Sequence, residues 1–288
     1  MDQEINSISV IIPSIYPDRW SKIIDNYRSS TVDVEIIFIG PSICSFILPN
    51  NVKFIKTNFK VTQCLEIGLK SSSKYYKFQT ADDIFLKGSE DPLGDMVRMA
   101  NRFPNDLVCL KYAMNGKLML RNEINLISNH PKTLIPSLII LTKKMISQIG
   151  GYNKNYIASF SDIDLYLRLK NLGYRYKWIN IYMDEDRTPD NNLGLLSFRY
   201  LGHDIKYLKY NWVEYNSQTK SYFLRNKSRE DFEPFNQNTL LTEEQGAGKA
   251  KIFKSKYFIL MMRNKFFRYT VLLMYKFYRK FILRAKFY

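Results

Sequence analysis

Two short runs rich in β-branched residues constrain the fold of this chain more than any other feature. The first covers residues 9–12 and ends at Pro13, and the second covers residues 34–39 and ends at Gly40. A strand that is apolar on both faces belongs inside a parallel sheet, where helices cover both sides. The runs therefore predict buried parallel strands that open into loops.

Segments with helical spacing alternate with these strands. We predict helices over residues 20–29 and 62–69, a short third strand over 52–55, and a fourth strand over 75–78. Alternation of this kind predicts an α/β protein with a mostly parallel, Rossmann-like sheet and helices on both faces. In such proteins the ligand lies at the carboxyl ends of the strands.

Charge is distributed unevenly along the 288 residues. The formal net charge is +16, and residues 249–288 contain twelve Lys or Arg and no Asp or Glu. The first 248 residues therefore hold 31 basic and 27 acidic side chains, a net charge of only +4. With 45% hydrophobic and 24% charged residues, the composition excludes a disordered polymer and is typical of a globular protein.

The cysteines and the N-terminus indicate a reducing compartment. Cys44, Cys64 and Cys109 are widely spaced, which argues against a disulfide framework or a zinc site. The first residues are acidic where a secretory signal would be basic, and no uncharged stretch approaches the roughly 20 residues that a bilayer requires. We therefore expect a cytoplasmic protein without a spanning helix.

Two adjacent carboxylates follow the predicted fourth strand, in the tetrapeptide Thr80-Ala81-Asp82-Asp83. Acids at the carboxyl edge of a sheet can hold a divalent cation against a phosphate. The alternative is structural, since Asp-Asp after a strand also enters turns and begins helices.

A second acidic motif begins a predicted helix that ends at Gly173. It reads Ser161-Asp162-Ile163-Asp164-Leu165, and apolar residues follow at helical spacing. Either a reactive carboxylate or a simple N-cap is consistent with this position.

The order of the motifs resembles that of a family 2 glycosyltransferase with the GT-A fold. The similarity covers roughly residues 7–180 and depends on the order of the motifs more than on any one of them. In chain order the motifs are Ser9-Val10-Ile11-Ile12-Pro13-Ser14, Glu35-Ile36-Ile37, Ala81-Asp82-Asp83, Ile149-Gly150-Gly151-Tyr152, and Ser161-Asp162-Ile163-Asp164-Leu165 with Arg168 and Gly173. The resemblance implies inverting transfer of a sugar from a nucleotide-diphosphate donor to a hydroxyl of a glycan or lipid-linked acceptor.

The resemblance also implies roles for single residues. Asp82 would be the ligand of Mg²⁺ or Mn²⁺ on the donor diphosphate, and Asp162 would be the general base. A metal would stabilise the charge that develops on the departing diphosphate, while the base takes the proton of the attacking hydroxyl on the other side of the sugar. The other predicted donor-binding residues are Pro13, Ser14, Ala81 and Asp83.

Three further residues are candidates for supporting roles. Asp164 either fixes its helix or approaches the acceptor, and Arg168 either contacts a phosphate or pairs with an acid one turn away; we favour a structural role for Arg168. Asp184 follows a predicted strand over residues 177–182, in the region where the family often has a third metal contact. We assign no role to His203, farther along the chain.

The chain departs from the family pattern at three places. Thr80 replaces the first acid of the Asp-x-Asp motif, and Ser161 replaces the Glu that usually precedes the base. After the second strand, Gly40 and Pro41 stand in the region where the family places an acid that reads the nucleotide base. The base is therefore unassigned, with a UDP-sugar as the default donor, and a non-catalytic transferase-like scaffold is an alternative.

We divide the chain into a catalytic domain (residues 1–187), an acceptor-side or helical extension (188–248) and a basic tail (249–288). In the tail, apolar residues recur at helical spacing and basic residues occupy the opposite face, which predicts an amphipathic helix. Such a helix suits an anionic membrane surface and a peripheral location on the inner face of the membrane. Formation of a homo-oligomer, packing on the body and nucleic-acid binding are alternatives, although no nucleic-acid motif supports the last.

Overall fold

A computed structural model describes residues 5–118, 139–186, 194–229 and 232–246, together with Thr270. The predicted amphipathic tail therefore lies outside the described residues apart from Thr270, as do residues 188–193 of the predicted extension. The strands are β1 (Ser7–Pro13), β2 (Asp33–Gly40), β3 (Val52–Lys56), β4 (Tyr76–Gln79), β5 (Ile84–Lys87), β6 (Asp106–Met114), β7 (Lys117–Leu118), β8 (Ile140–Thr142), β9 (Arg175–Glu185), β10 (Val213–Asn216) and β11 (Ser221–Leu224). The helices are α1 (Trp20–Tyr27), α2 (Val61–Ser71), α3 (Pro92–Arg102), α4 (Lys143–Ile149), α5 (Ser161–Asn171) and α6 (Gly194–Trp212), with a 3₁₀ turn at Pro17–Arg19.

The central sheet has the strand order β3-β2-β1-β4-β8. Strands β1 to β4 are parallel, and β8 adds to the edge of β4 in the antiparallel direction. A second sheet, in the order β5-β9-β6-β7, pairs β6 with β9 in parallel and adds antiparallel strands outside them. The predicted α/β class with a mostly parallel sheet is confirmed.

Helices cover both faces of the central sheet, as the strand sequences require. Alternate residues of β1 enter different cores: Ile11 packs with α2, α4 and α5, whereas Val10 and Ile12 pack with α1 and α3. All three are fully buried. The apolar run in β1 therefore reflects a strand that is buried on both faces.

Most predicted elements are present. The hairpin at Asn115-Gly116 joins β6 to β7, and both of its turn residues have positive φ. Strand β8 begins at Ile140, and residues 134–138 of the apolar run before it lie outside the described part of the chain.

The region after residue 193 packs on the α/β body. Leu208 and Trp212 of α6 are buried in the same core as Ile11, and so are Phe235 and Leu240. Strands β10 and β11 form an antiparallel hairpin directly after α6. The described part of the predicted extension therefore shares the core of the predicted catalytic domain.

Within the residues that the structure describes, no helix is both long enough and apolar enough to cross a bilayer.

Two helical glycines give a matched test of this packing. A Cβ built on Gly68 of α2 would lie 2.2 Å from Ile11 Cγ2, whereas a Cβ on Gly202 of α6 would meet nothing within 4 Å. We expect Gly68→Ala to lower the free energy of unfolding by about 1–3 kcal/mol through overpacking. Gly202→Ala should raise it by about 0.5–1 kcal/mol through helix propensity. Urea unfolding of both variants measures the difference, and equal signs would contradict the packing of α2 on β1.

Candidate active site at the carboxyl edge of the sheet

The loops after β1 and β4 meet at the carboxyl edge of the central sheet. The N–H of Thr80 donates to the carbonyl of Ile11 at 3.0 Å, and the N–H of Ser14 donates to the carbonyl of Ile39 at 2.8 Å. These bonds continue the parallel ladders beyond the strands themselves. The predicted donor motifs therefore lie side by side, as expected.

Asp82 holds the loop after β1. Its Oδ2 accepts hydrogen bonds from Ser14 Oγ at 2.8 Å and from the backbone N–H groups of Ile15 and Tyr16 at 3.0 and 3.1 Å. Ser14 Oγ also accepts a bond from Trp20 Nε1 at 2.7 Å, so the Ser14 side chain is committed to the protein interior. Through these bonds Asp82 Oδ2 and Ser14 shape the loop after β1, while the metal contact of Asp82 and the donor contact of Ser14 stay predictions.

The carboxylate of Asp83 has fewer hydrogen-bond partners than that of Asp82. Among the described residues, no side chain hydrogen-bonds to it, although it is only 8% exposed. Burial, and then the negative charges of Glu185 and Asp82, raise the pKa of Asp83 to about 6. The Asp83 carbonyl accepts the N–H of Asp186 at 2.8 Å, which ties this loop to the end of β9. Asp83 is thus the acid of the pair at which excess negative charge is concentrated.

Tyr16 and Arg19 lie next to the acidic pair, although no sequence motif marks them as candidate site residues. Burial and the charge of Asp82 raise the pKa of the Tyr16 phenol. The Arg19 guanidinium carbon is 5.5 Å from the centre of the Tyr16 ring, and its positive charge acts on both Asp82 and Asp83. The only sequence signal was their position directly after β1.

Few of the described protein groups near the acidic pair could hold a divalent cation. In the described parts of the chain, no three His, Cys, Asp or Glu side chains are grouped to hold a metal. Thr80 Oγ1, at the position of the missing first acid, is buried without a hydrogen-bond partner among those residues. Mg²⁺ commonly uses one or two carboxylates and completes its shell with phosphate and water. Asp83 can supply such a carboxylate.

Asp162 lies in the first turn of α5, as predicted. The backbone N–H groups of Ile163 and Asp162 itself favour the charged form of this carboxylate, and among the described residues no side chain hydrogen-bonds to it. Burial raises the pKa of Asp162 to about 7. A carboxyl with this pKa exchanges a proton near neutral pH, which is a property suited to a general base.

Tyr152 connects the Asp162 region to the strand that carries the acidic pair. Its phenol donates a hydrogen bond to Gln79 Oε1 at the end of β4. Burial, and then the charge of Asp162, raise the pKa of Tyr152. Gly151, whose φ is +87°, approaches the buried Glu66 so closely that an added Cβ would lie 2.5 Å from Oε2. Tyr152 of the Gly-Gly-Tyr motif therefore touches the end of β4 and feels the charge of Asp162.

Asp164 and Arg168 form a structural pair. Arg168 Nε donates to Asp164 Oδ2 at 3.0 Å, and its other nitrogens donate to the carbonyls of Ile149 and Gly151 at 2.6 and 2.8 Å. Trp212 Nε1 donates to Asp164 Oδ1 at 2.8 Å. Of the alternatives, the structure thus favours Asp164 as the residue that fixes α5 and Arg168 as its partner one turn away.

Asp184 is directed to the second sheet. Its Oδ2 is 2.5 Å from Lys87 Nζ, and its Oδ1 accepts the N–H of Gly116 at 2.7 Å. The neighbouring Glu185 is the acid whose charge acts on Asp83. Asp184 thus links β5, β9 and the hairpin after β6, and its predicted supporting role at the metal stays a prediction.

Solved structures of TarS from S. aureus have a similar fold. A structure of TarS matches with a TM-score of 0.50 at 12% sequence identity, and the match covers 70% of this chain and 39% of that chain. TarS 1–349 in complex with UDP matches with a TM-score of 0.49 at 13% identity, over 69% of this chain and 65% of that chain. The chain thus spans less than two thirds of either structure. No protein-family model matches the chain, and no curated protein matches it in sequence.

The sheet order and this likeness define the class of fold. The chain is a mixed α/β protein with the GT-A type of glycosyltransferase fold, in which a mostly parallel sheet presents its carboxyl edge to the loops described above.

Proposed function

We propose that this chain transfers a sugar from a nucleotide-diphosphate donor, with a UDP-sugar as the default, to a hydroxyl of a glycan or lipid-linked acceptor. The supporting observation is Tyr152, which hydrogen-bonds to Gln79 just before the acidic loop and whose pKa is raised in part by the charge of Asp162, itself a carboxyl with a pKa raised to about 7. The proposed reaction inverts the configuration of the sugar, as in family 2 enzymes, within cell-surface polysaccharide or glycolipid synthesis.

On the donor side, Asp83 is the proposed contact for Mg²⁺ or Mn²⁺. The three hydrogen bonds to Asp82 Oδ2 favour Asp83 over Asp82 for this role, because they leave Asp82 to shape the loop after β1. When bound, the metal supplies positive charge for the departing diphosphate. Arg19 lies close enough to add charge of the same sign. Ile15, which is 41% exposed, lines the open side of the same loop.

On the acceptor side, Asp162 takes the proton of the attacking hydroxyl. A base with a pKa near the working pH combines a large deprotonated fraction with a useful affinity for the proton. The N-terminal end of α5 also stabilises the carboxylate form through the helix dipole. The acceptor itself is proposed to reach the site from the α6 side, where Tyr210 and Tyr215 expose aromatic surface suited to sugar rings.

Membrane association through residues 249–288, outside the described residues apart from Thr270, remains part of this proposal. Twelve basic side chains and no acid in that segment favour an anionic surface. The location proposed is cytoplasmic and peripheral, on the inner face of the membrane. A non-catalytic scaffold is the alternative, favoured only by Thr80 and Ser161, which replace residues typical of the family.

Thermal unfolding with nucleoside diphosphates tests donor binding directly. We expect one nucleoside diphosphate, UDP first, to raise the Tm by several degrees when Mn²⁺ is present, because saturation at about 100 times Kd contributes about 2.7 kcal/mol. Mn²⁺ alone should have little effect, since the diphosphate is needed to complete its shell. The controls are UMP, which lacks the second phosphate, and EDTA. The absence of a shift with every nucleoside diphosphate would contradict the proposed function.

A further inference from the structure

Asp204 of α6 is a buried carboxylate that the proposed reaction does not use. It is 0% exposed. Its Oδ1 accepts the backbone N–H of Ile157 at 3.1 Å, and its Oδ2 accepts those of Ala158 and Ser159 at 2.9 and 2.8 Å. Three successive backbone donors thus converge on one charged side chain. Charge-assisted bonds of this kind are about twice as strong as neutral ones, and removal of the acceptor leaves several buried donors unpaired.

The segment that Asp204 holds leads directly into the proposed base. Phe160 follows with φ +60° and ψ +2°, a left-handed conformation, and α5 begins at Ser161. A non-glycine residue in this conformation costs of order 1 kcal/mol or more and persists only where its surroundings impose it. Asp162 is the second residue of α5, so the Phe160 conformation sets the direction in which its carboxylate emerges.

Other contacts of α6 fix the body of α5 but not this entry segment. Trp212 bonds to Asp164, one turn into α5, and Tyr207 accepts hydrogen bonds from Asn153 and Asn155, before the segment. His203 Nδ1 lies 2.9 Å from Asp204 Oδ1 and is the ionisable side chain beside it. Asp204 is therefore the described side chain that bonds to residues 157–159 themselves.

We propose that Asp204 is a positioning residue for Asp162: it fixes residues 157–159, and through them the left-handed Phe160 that orients the base. The inference rests on the proposed function, because it assigns Asp204 a role in presenting the base of that reaction. Its structural half, the fixing of residues 157–159, can be measured without any activity.

The experiment compares Asp204→Asn with Leu208→Ala. Leu208 is also 0% exposed on α6 and packs in the core, so its truncation weakens α6 without removing the bonds to residues 157–159. Wild type and Asp162→Asn serve as the activity references. Release of nucleoside diphosphate is measured across pH 5–9 with a responsive nucleotide sugar, and amide hydrogen exchange is followed at residues 157–159. If Asp204→Asn does not fold, Asp204→Glu keeps the charge and displaces it by one methylene group.

We expect Asp204→Asn to lower kcat about 10- to 100-fold with little change in donor KM, since small misplacements of a reacting group have effects of this size. The acid limb of its kcat profile should move to lower pH, because a loosened segment admits water to the base. Amides 157–159 should exchange at least about tenfold faster, as expected for an opened loop. Leu208→Ala should lower the free energy of unfolding. The pH at which its kcat falls on the acid side should stay that of wild type.

Two results would contradict the positioning role of Asp204 while leaving the proposed transferase activity intact. Unchanged exchange at residues 157–159 in Asp204→Asn would show that Asp204 does not hold the segment. Identical pH profiles for Asp204→Asn and Leu208→Ala would reduce Asp204 to a stabilising residue. If wild type releases no diphosphate, or Asp162→Asn matches wild type, the proposed function itself is contradicted and the positioning role is withdrawn with it.

Discussion

Asp162→Asn is expected to lower kcat by about 100- to 10,000-fold, the usual contribution of a general base. The amide cannot accept the proton of the attacking hydroxyl, but it preserves the size of the side chain. Donor KM should change little, because Asp162 lies on the acceptor side of the proposed mechanism. Initial rates with saturating donor measure the effect.

The same substitution should make the protein more stable at neutral and alkaline pH. The pKa of Asp162 rises from an ordinary 3.8 to about 7 in the folded state. Between these values the folded state binds a proton that the unfolded state lacks, so stability falls as pH rises through this window. Asn carries no charge and avoids this loss. We expect a gain of up to about 4 kcal/mol at pH 8 that disappears near pH 4.

Asp164→Asn is the matched control, two residues along the same helix. Asp164 pairs with Arg168 and accepts a bond from Trp212, so its neutralisation leaves a largely buried guanidinium without its counter-charge. We expect a loss of about 3 kcal/mol, opposite in sign to the effect of Asp162→Asn. Urea unfolding at pH 8 and pH 4 distinguishes the variants. A destabilised Asp162→Asn at pH 8 would show that burial of this carboxylate is not costly.

The second large effect is expected for Asp83→Ala. Loss of the proposed metal contact should lower kcat by about 100- to 1,000-fold and remove most of the dependence on Mn²⁺. The fold should be preserved, because no described side chain bonds to Asp83. Removal of this charge also relieves the repulsion among Asp83, Asp82 and Glu185. The measurements are turnover against Mn²⁺ concentration and the midpoint of thermal unfolding.

Asp82→Ala is the neighbouring control and separates the two acids. It deletes the acceptor of Ser14, Ile15 and Tyr16, so we expect a loss of about 1–3 kcal/mol in stability. Its activity should fall through misplacement of the β1 loop, with the Mn²⁺ response retained. A stable Asp82→Ala that has lost its Mn²⁺ response, together with an Asp83→Ala that keeps it, would identify Asp82 as the metal ligand, as the family resemblance implies.

The fold could be predicted from the sequence because its signals are local. Strand β1 contributes the fully buried Ile8, Val10, Ile11 and Ile12 from one short run, and the Asn115-Gly116 turn carries its own hairpin signature. Asp164, the partner of Arg168, lies only four residues from it in the same helix. The parallel pairing of β6 with β9 was not predicted, since its partners are about 70 residues apart and either strand could have paired elsewhere.

The sequence predicts where the candidate site lies, but not which of its carboxylates are hydrogen-bonded within the protein. Sequence places Asp82 and Asp83 together, yet the hydrogen bonds that distinguish them come from a loop 66–68 residues earlier. Asp204 gave no signal, because its three partners lie 45–47 residues away and are backbone groups that any sequence provides. Which carboxylate a fold satisfies is thus a tertiary property.

The most direct test of the account is release of nucleoside diphosphate from nucleotide sugars, with and without Mn²⁺, by wild type and by Asp162→Asn, Asp83→Ala and Leu208→Ala. We predict that wild type releases one nucleoside diphosphate in the presence of Mn²⁺, that Asp162→Asn and Asp83→Ala lose at least about 99% of this activity, and that folded Leu208→Ala retains most of it. Equal turnover by wild type, Asp162→Asn and Asp83→Ala, or no release from any nucleotide sugar, would contradict it.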